Sequence, residues 1–395
     1  MRPVRVLYLT HYAELYGANR SLLDLVTGSS RMDAVEPFVV LATDGPMAAA
    51  LQRAGIGHAV VPFVPWMHKQ VYSGRAHHRL LQRIRNRRAA HERDRVNEEA
   101  SQRIIATAKE HRAQVVHTNS SVIGIGGPIA RRLGVPHVWH IRELPFLHYH
   151  FRVDGGVRRY ARELKQADAI IALSQAVVED MRQWLPAAER IHIVPNGIVT
   201  EQGWKERGSM ITDRWASTGT FDFLLAGHFH PSKGQVEAIH AFAEVYRNDP
   251  ATRLHLAGNG RMDPAREAVQ QLGLHEAVRF HGYVERITDV MGGVHALLQC
   301  SQYEALGRIV LEAMADGLPV IGHASGATPE LVTDGANGAL YRTHAELVEA
   351  MRRMAHHRAE ARRMGTVGRK LVLEHYTLDL MWHRIHSIYR DLCPS

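Results

Sequence analysis

Two cysteines in 395 residues, Cys300 and Cys393, cannot build a disulfide framework, and their spacing suits no metal site, which points to a reducing compartment. Long apolar runs are missing too. No stretch reaches the ~18 consecutive apolar residues of a membrane span. The opening run Met1–Thr10 is broken by His11 and Glu14 before it could serve as a signal-peptide core, so it reads as a first β-strand of a cytoplasmic protein. Hydrophobic content of 45% with 22% charged residues excludes a disordered chain. A single core stops growing near ~250–300 residues, so this length implies two domains.

What charge there is lies unevenly. Residues 1–200 hold 27 Lys and Arg against 17 Asp and Glu, whereas residues 201–395 hold 21 against 23, so the first half supplies the whole net charge of +8. Its densest part carries Arg79, Arg83, Arg85, Arg87, Arg88, Arg93 and Arg95, with Leu80, Leu81 and Ile84 on a shared helical face. A basic amphipathic helix can lie on an anionic membrane surface, here the inner face of the membrane; a solvated helix face has the same pattern. No recognised motif or aromatic stripe accompanies the arginines, so no nucleic acid is expected as a partner.

The first half alternates short apolar runs with longer helical patterns, the rhythm of βα units and a parallel sheet. Strands are expected at Val4–Thr10, Pro37–Ala42, His58–Val61, Gln114–Thr118, His137–Ile141, Ala169–Leu173 and Ile191–Val194. The periodicity vanishes over 201–220, read as a linker, and restarts at Phe221. The expected organisation is an α/β chain of two Rossmann-like domains, 1–200 and 221–376, facing a central cleft. Ligands of such sheets bind beyond the carboxyl ends of the strands. Leu378–Leu392 reads as an amphipathic closing helix.

The most informative segment is Tyr303-Glu304-Ala-Leu-Gly307-Arg-Ile-Val-Leu-Glu312. Two carboxylates eight residues apart flank the start of a helix, whose unpaired N–H groups and positive dipole end suit a diphosphate. Glu304 can accept hydrogen bonds from sugar hydroxyls, and Glu312 from a vicinal diol such as a ribose. Around it stand Gly227-His228 with Lys233-Gly234, Ala257-Gly258-Asn259-Gly260, Gly282-Tyr-Val284, Gly317-Leu-Pro-Val-Ile-Gly322, Gly326-Ala-Thr-Pro-Glu330 and Asp334-Gly-Ala-Asn-Gly338. The first half closes on Ala169-Ile-Ile-Ala-Leu-Ser174 and Val194-Pro-Asn196-Gly197. In this order the motifs resemble the retaining glycosyltransferases of family 4, which have the GT-B fold and a Glu-x7-Glu motif.

The resemblance implies a nucleotide-sugar donor, UDP- or GDP-linked, held mainly by the second domain, with the closing helix (about 377–395) completing the first, acceptor-side domain. Lys233 would hold the diphosphate, Glu304 the sugar, and Glu312 the ribose. Gly17, His228, Gly258, Asn259, Val284, Leu306 and Gly307 would line the donor, and His140 would face the reacting sugar. Lys233, Glu304 and His140 form the expected catalytic set; Asn119, Arg142 and Glu143 are expected to meet the acceptor. Closing of the domains would expel water, and the acceptor hydroxyl would attack from the side on which the nucleotide leaves, with no enzymic nucleophile. Neither a cofactor nor a metal is expected, because no Asp-x-Asp pattern is present. The acceptor would be a glycan, a lipid-linked sugar or a small molecule.

Two departures from the family pattern stand out. His228 takes the place of a usual arginine, whose two-pronged contact a histidine cannot make; His230 or Arg261 would have to compensate. Tyr16 precedes Gly17 where the family has a second glycine. The rival readings are a sugar-nucleotide epimerase or a phosphorylase of the same fold, a binding protein that has lost the chemistry, and a basic adaptor.

Overall fold

The computed structural model describes residues 3–32, 34–69, 76–147, 150–185, 188–211, 214–215 and 219–394. The chain divides into two compact units, Met1–Asn196 with Leu378–Ser395, and Gly197–Thr377.

In the first unit the strands are β1 (Val4–Thr10), β2 (Val35–Leu41), β3 (Gly57–Val60), β4 (Met67–His68), β5 (Val115–Asn119), β6 (His137–Ile141), β7 (Arg152–Val153), β8 (Ala169–Ala172) and β9 (Ile191–Ile193). Seven form a parallel sheet in the order β3-β2-β1-β5-β6-β8-β9; β4 and β7 pair separately and antiparallel. The near-continuous apolar runs follow from this, since a parallel sheet is covered on both faces. One face packs Val6, Tyr8, Val115 and Val138 against Leu22, Leu25, Ile385 and Tyr389, from the helices Gly17–Arg31 and Leu378–Leu392. The closing helix is tied down by the Trp382 indole, which donates to the Asp24 carbonyl (3.0 Å), and by His386 on the Ser29 hydroxyl (2.8 Å).

The second unit repeats the plan with β10 (Phe221–Ala226), β11 (Thr252–Ala257), β12 (Val278–Gly282), β13 (Ala296–Gln299), β14 (Val320–His323) and β15 (Gly338–Tyr341). The order β12-β11-β10-β13-β14-β15 is again parallel and reverses between β10 and β13. In the first sheet the reversal falls between β1 and β5. Such switch points are where doubly wound sheets bind ligands.

The 201–220 stretch, expected as a linker, begins as a helix, Glu201–Met210. That helix lacks an apolar stripe but is started by the Thr200 hydroxyl, which accepts from Gly203 N (2.9 Å). Trp204 holds it, donating to the Arg369 carbonyl (3.0 Å) beneath the Arg369 guanidinium. Residues 212, 213 and 216–218 of the stretch lie outside the described residues.

The arginine run rides on a 35-residue helix, Ala76–Glu110, on which Leu81 and Ile84 are exposed; the Leu80 side chain lies outside the described residues. Arg93 is drawn inward, bidentate on the buried Asp154 carboxylate (2.7 and 2.9 Å), and Arg95 pairs with Glu92 and Glu99 of its own helix. Arg79, Arg83, Arg85, Arg87 and Arg88 remain exposed.

Candidate active site

In the second unit the site grows from the ends of β10 and β13. After β10 the chain passes through Gly227-His228 to a single turn, Pro231–Lys233. Gly234 then adopts φ 71°, and a side chain there would lie 2.6 Å from Cys300 Cβ and 2.7 Å from its carbonyl oxygen. Only glycine lets this turn sit against the residue that follows β13. The Lys-Gly pair thus brings Lys233 to Glu304, and the Lys233 ammonium forms an ion pair with Glu304 Oε1. The two side chains keep 30% and 18% exposure.

The backbone of Glu304 is clamped from behind. Gly326, at φ 56°, packs so closely that a side chain on it would stand 2.5 Å from the Glu304 carbonyl oxygen, and Ala327 N donates to that oxygen (2.8 Å). The loop after β14, Gly326-Ala-Thr-Pro, is thereby a support for the acidic residue. Gly307 precedes the helix Arg308–Ala315, on which Glu312 Oε1 accepts from Arg308 Nε (2.8 Å). Leu306 is buried beneath the turn.

His228 lies after β10 with its Nδ1 3.0 Å from Asn259 Oδ1, and its carbonyl accepts from Gln235 Nε2 (3.0 Å). Gly258 follows β11 and donates its N–H to Gly282 (2.7 Å); Val284 lies two residues further, half-buried. These residues thus all follow the carboxyl ends of β10, β11, β12 and β13. Of the residues expected to compensate for the missing arginine, His230 caps its own turn by accepting from Ser232 N (3.2 Å), and Arg261 reaches Asp263 at 3.8 Å on the surface.

The first unit carries a different arrangement at β1, β5 and β6. Asn119 and His140 pair in register at the ends of β5 and β6, both fully buried. Arg142 Nε donates to Asn119 Oδ1 (2.7 Å), and its Nη1 donates to Asn196 Oδ1. Burial, with the Arg142 charge adding to it, holds the His117 and His140 imidazoles well below their usual range, so both are neutral. His140 Nε2 and Asn119 Nδ2 are buried without a hydrogen-bond partner among the described residues. A buried polar atom left in this way suits a ligand.

Glu143 is enclosed, its carboxylate accepting from Ser120 Oγ (3.0 Å) and from Ser121 N and Oγ. Burial pushes its carboxyl up despite these bonds. Gly17 opens the helix after β1, with open space where a side chain would stand.

Lys233, Glu304, Gly307 and Glu312 are therefore gathered on neighbouring segments of the second unit, and Asn119, His140 and Arg142 at adjoining strand ends of the first. Sequence reasoning overlooked Arg308 and Asn196. The first carried a readable signal, an i,i+4 spacing to Glu312 on one helix face; the second did not, because its partner Arg142 is 54 residues away. Among the described residues no three His, Cys, Asp or Glu side chains gather as a metal site, and no helix is long and apolar enough to cross a membrane.

Comparison with known proteins follows this division. The family model described as Glycosyltransferase Family 4 matches residues 16–202, and that described as Glycosyl transferases group 1 matches 213–371. Alpha-maltose-1-phosphate synthase of Mycolicibacterium smegmatis is 29% identical over 71% of this chain and 79% of its own length. Alpha-D-kanosaminyltransferase of Streptomyces kanamyceticus is 26% identical, covering 67% and 72%. Among solved structures, Anabaena Alr3699/HepE in complex with UDP superposes with a TM-score of 0.79 at 20% identity, over 98% of this chain and 100% of that one.

Proposed function

We infer, from a chain that belongs to glycosyltransferase family 4 and has the GT-B fold, that it moves a hexose-type sugar from UDP or GDP to an acceptor hydroxyl with retention of configuration. The chain is a nucleotide-sugar-dependent glycosyltransferase; the base, the sugar and the stereochemistry are the inference. The observation that carries it is the ion pair of Lys233 with Glu304 beside the helix that bears Glu312.

The pair suits an exchange of partners. An incoming diphosphate takes over the Lys233 ammonium and leaves the Glu304 carboxylate to accept hydrogen bonds from the sugar hydroxyls. Glu312, part-buried and steadied by Arg308, accepts from the two ribose hydroxyls. In the reaction the acceptor oxygen bonds to the anomeric carbon as the bond from that carbon to the phosphate oxygen breaks. The hydroxyl proton passes to an oxygen of the departing phosphate, and Lys233 offsets the charge gathering there; such placed charge is usually the largest catalytic contribution. Asn119, His140 and Arg142 hold the sugar and the acceptor as neutral or fixed donors.

Relatives named for maltose-1-phosphate and kanosaminyl transfer support a sugar or small-molecule acceptor, and a neighbour solved with UDP supports a uridine donor. The exposed Arg79, Arg83, Arg85, Arg87 and Arg88 beside exposed Leu81 and Ile84 support peripheral contact with an anionic membrane, and so a lipid-linked acceptor.

Thermal melting of the pure protein against a panel of nucleotide sugars, without added metal, is the test. A ligand at a hundredfold excess over its dissociation constant stabilises the folded chain by ~2.7 kcal/mol. A shift confined to uridine or guanosine sugars is expected. No shift with any donor, with or without magnesium, would overturn the reading, and conversion of a donor with no acceptor present would favour an epimerase.

A further inference from the structure

We propose that Tyr389, acting through His117, fixes the tautomer of His140 so that Nε2 carries the hydrogen and donates it to an oxygen of the bound sugar. The proposal rests on the reading of His140 as a sugar contact and adds the residues that position it.

Four fully buried side chains form one file: Tyr8 on β1, Tyr389 on the closing helix Leu378–Leu392, His117 on β5 and His140 on β6. The Tyr8 and Tyr389 hydroxyl oxygens are 3.1 Å apart. The Tyr389 oxygen is 2.7 Å from His117 Nδ1, and His117 Nε2 is 3.3 Å from His140 Nδ1. Strand geometry explains the file. Tyr8 and His117 are register partners, and side chains two apart share a face, so His140 points with Val138 toward the layer that holds Tyr389.

Both imidazoles are neutral, so each holds one hydrogen and offers one lone pair. The file can therefore run in only two directions. In one, Tyr8 donates to Tyr389, Tyr389 to His117 Nδ1, and His117 Nε2–H to His140 Nδ1, which leaves His140 with Nε2–H pointing onward. In the other, every bond reverses. His140 Nε2 becomes a bare lone pair, and the last hydrogen sits on the Tyr8 hydroxyl, which has no hydrogen-bond partner but Tyr389 among the described residues. The first direction leaves one buried group to be satisfied by the ligand. The second leaves two, one of which no ligand at His140 can reach. The heavy-atom angles admit Tyr389 as the donor to Tyr8, but a hydroxyl hydrogen turns freely and that direction strands the Tyr8 hydrogen. Buried donors without acceptors are costly, so the first direction prevails. Because Tyr389 belongs to the closing helix Leu378–Leu392, that helix decides whether His140 Nε2 donates to the sugar or accepts from it.

Long-range 1H–15N NMR of the unliganded full-length chain reads which nitrogen holds the hydrogen, with the His140 signal assigned by its loss in His140→Gln. The wild type is expected to show Nε2–H alone. Tyr389→Phe removes the group that sets the direction and leaves each tautomer with equal unmet bonding, so a mixture is expected. That mixture should roughly halve kcat/KM, in proportion to the competent fraction. Tyr8→Phe should keep Nε2–H, since Tyr389 still needs His117 as its acceptor. Should Tyr389→Phe fail to fold, His117→Phe cuts the file one link nearer and should give the same mixture. A wild-type Nδ1–H tautomer, an imidazolium, or an unchanged single tautomer in the cut variants would overturn the proposal. A chain that took no nucleotide sugar would leave these spectra as they are, so the two readings fail separately.

Discussion

The two units build the same doubly wound sheet and furnish its strand ends in opposite ways. In the second unit the site is made of ions that keep some water: Lys233 with Glu304, and Arg308 with Glu312. In the first, His140 and Asn119 are sealed, and burial has stripped His117 and His140 of charge. Exposure decides which chemistry each can offer. A diphosphate needs a cation that stays ionised, which calls for partial hydration or a close counter-charge. Sugar hydroxyls carry no charge and are told apart by direction, for which buried, singly protonated groups serve better. Under the proposed function, charge stabilisation therefore falls to one unit and orientation to the other.

The sharpest way to break that division is to remove one member from each side. Lys233→Ala or Glu304→Gln should lower turnover about a hundred- to a thousandfold, the scale seen when a group aimed at developing charge is lost. His140→Ala should cost about tenfold, as befits one hydrogen bond to a partly charged sugar. Turnover of the donor at saturating acceptor measures both. A His140→Ala loss as large as that of Lys233→Ala would invert the assignment.

How far the sequence foretold this depends on the range of the interactions. Alternating apolar runs located all seven strands of the first large sheet, two of them to the residue: Val4–Thr10 and His137–Ile141. The helix Glu201–Met210 escaped because its hold comes from a cap and from Arg369, not from a stripe. Of the site, the motif residues were legible, since a glycine beside a cation or a carboxylate reports local backbone needs. What was not legible is pairing across the chain. Lys233 and Glu304 are 71 residues apart, and Tyr389 and His117 are 272 apart. Only the folded sheet brings them together, and 27 histidines offer no local mark that separates His117 from the rest.

A smaller effect sharpens the comparison on the side of stability. In the second unit Asp222 on β10 takes hydrogen bonds from His255 (3.1 Å) and Thr220 (2.8 Å) and lies 3.4 Å from His295. Burial alone would raise its carboxyl, but the bonds from His255 and Thr220, with His295 alongside, outweigh it and hold the group well below the usual carboxylate range. A depressed carboxyl contributes stability above its unfolded pKa near ~3.9 and loses it as pH falls toward the folded value. Asp222→Asn should therefore destabilise by about 1–2 kcal/mol at pH 7, a few degrees in Tm for a unit of this size. The gap to wild type should close below about pH 4, where the unfolded carboxyl is protonated. Melting curves from pH 7 to pH 3 test this, and a gap that stays constant would show that Asp222 acts through packing and not through its charge.

The smallest effect concerns a histidine of the second unit. His228 stands where the family has an arginine, and its ring is held at 3.0 Å from Asn259 Oδ1 in space left by Gly260, where a side chain would come within 2.8 Å of the imidazole. A ring so placed offers the diphosphate one nitrogen at most. If Lys233 carries the diphosphate largely alone, His228→Ala should raise the donor KM only about twofold, a fraction of one hydrogen bond. His228→Arg, with its fixed charge and planar fork, should lower the donor KM about fivefold, roughly 1 kcal/mol and so less than the ~1.5–3 kcal/mol of a full charged hydrogen bond, and leave kcat unchanged because ground state and transition state gain alike. Donor KM at saturating acceptor reads both. A His228→Ala variant as impaired as Lys233→Ala would make the histidine a principal diphosphate contact, and the second unit would then depend, as the first does, on an imidazole.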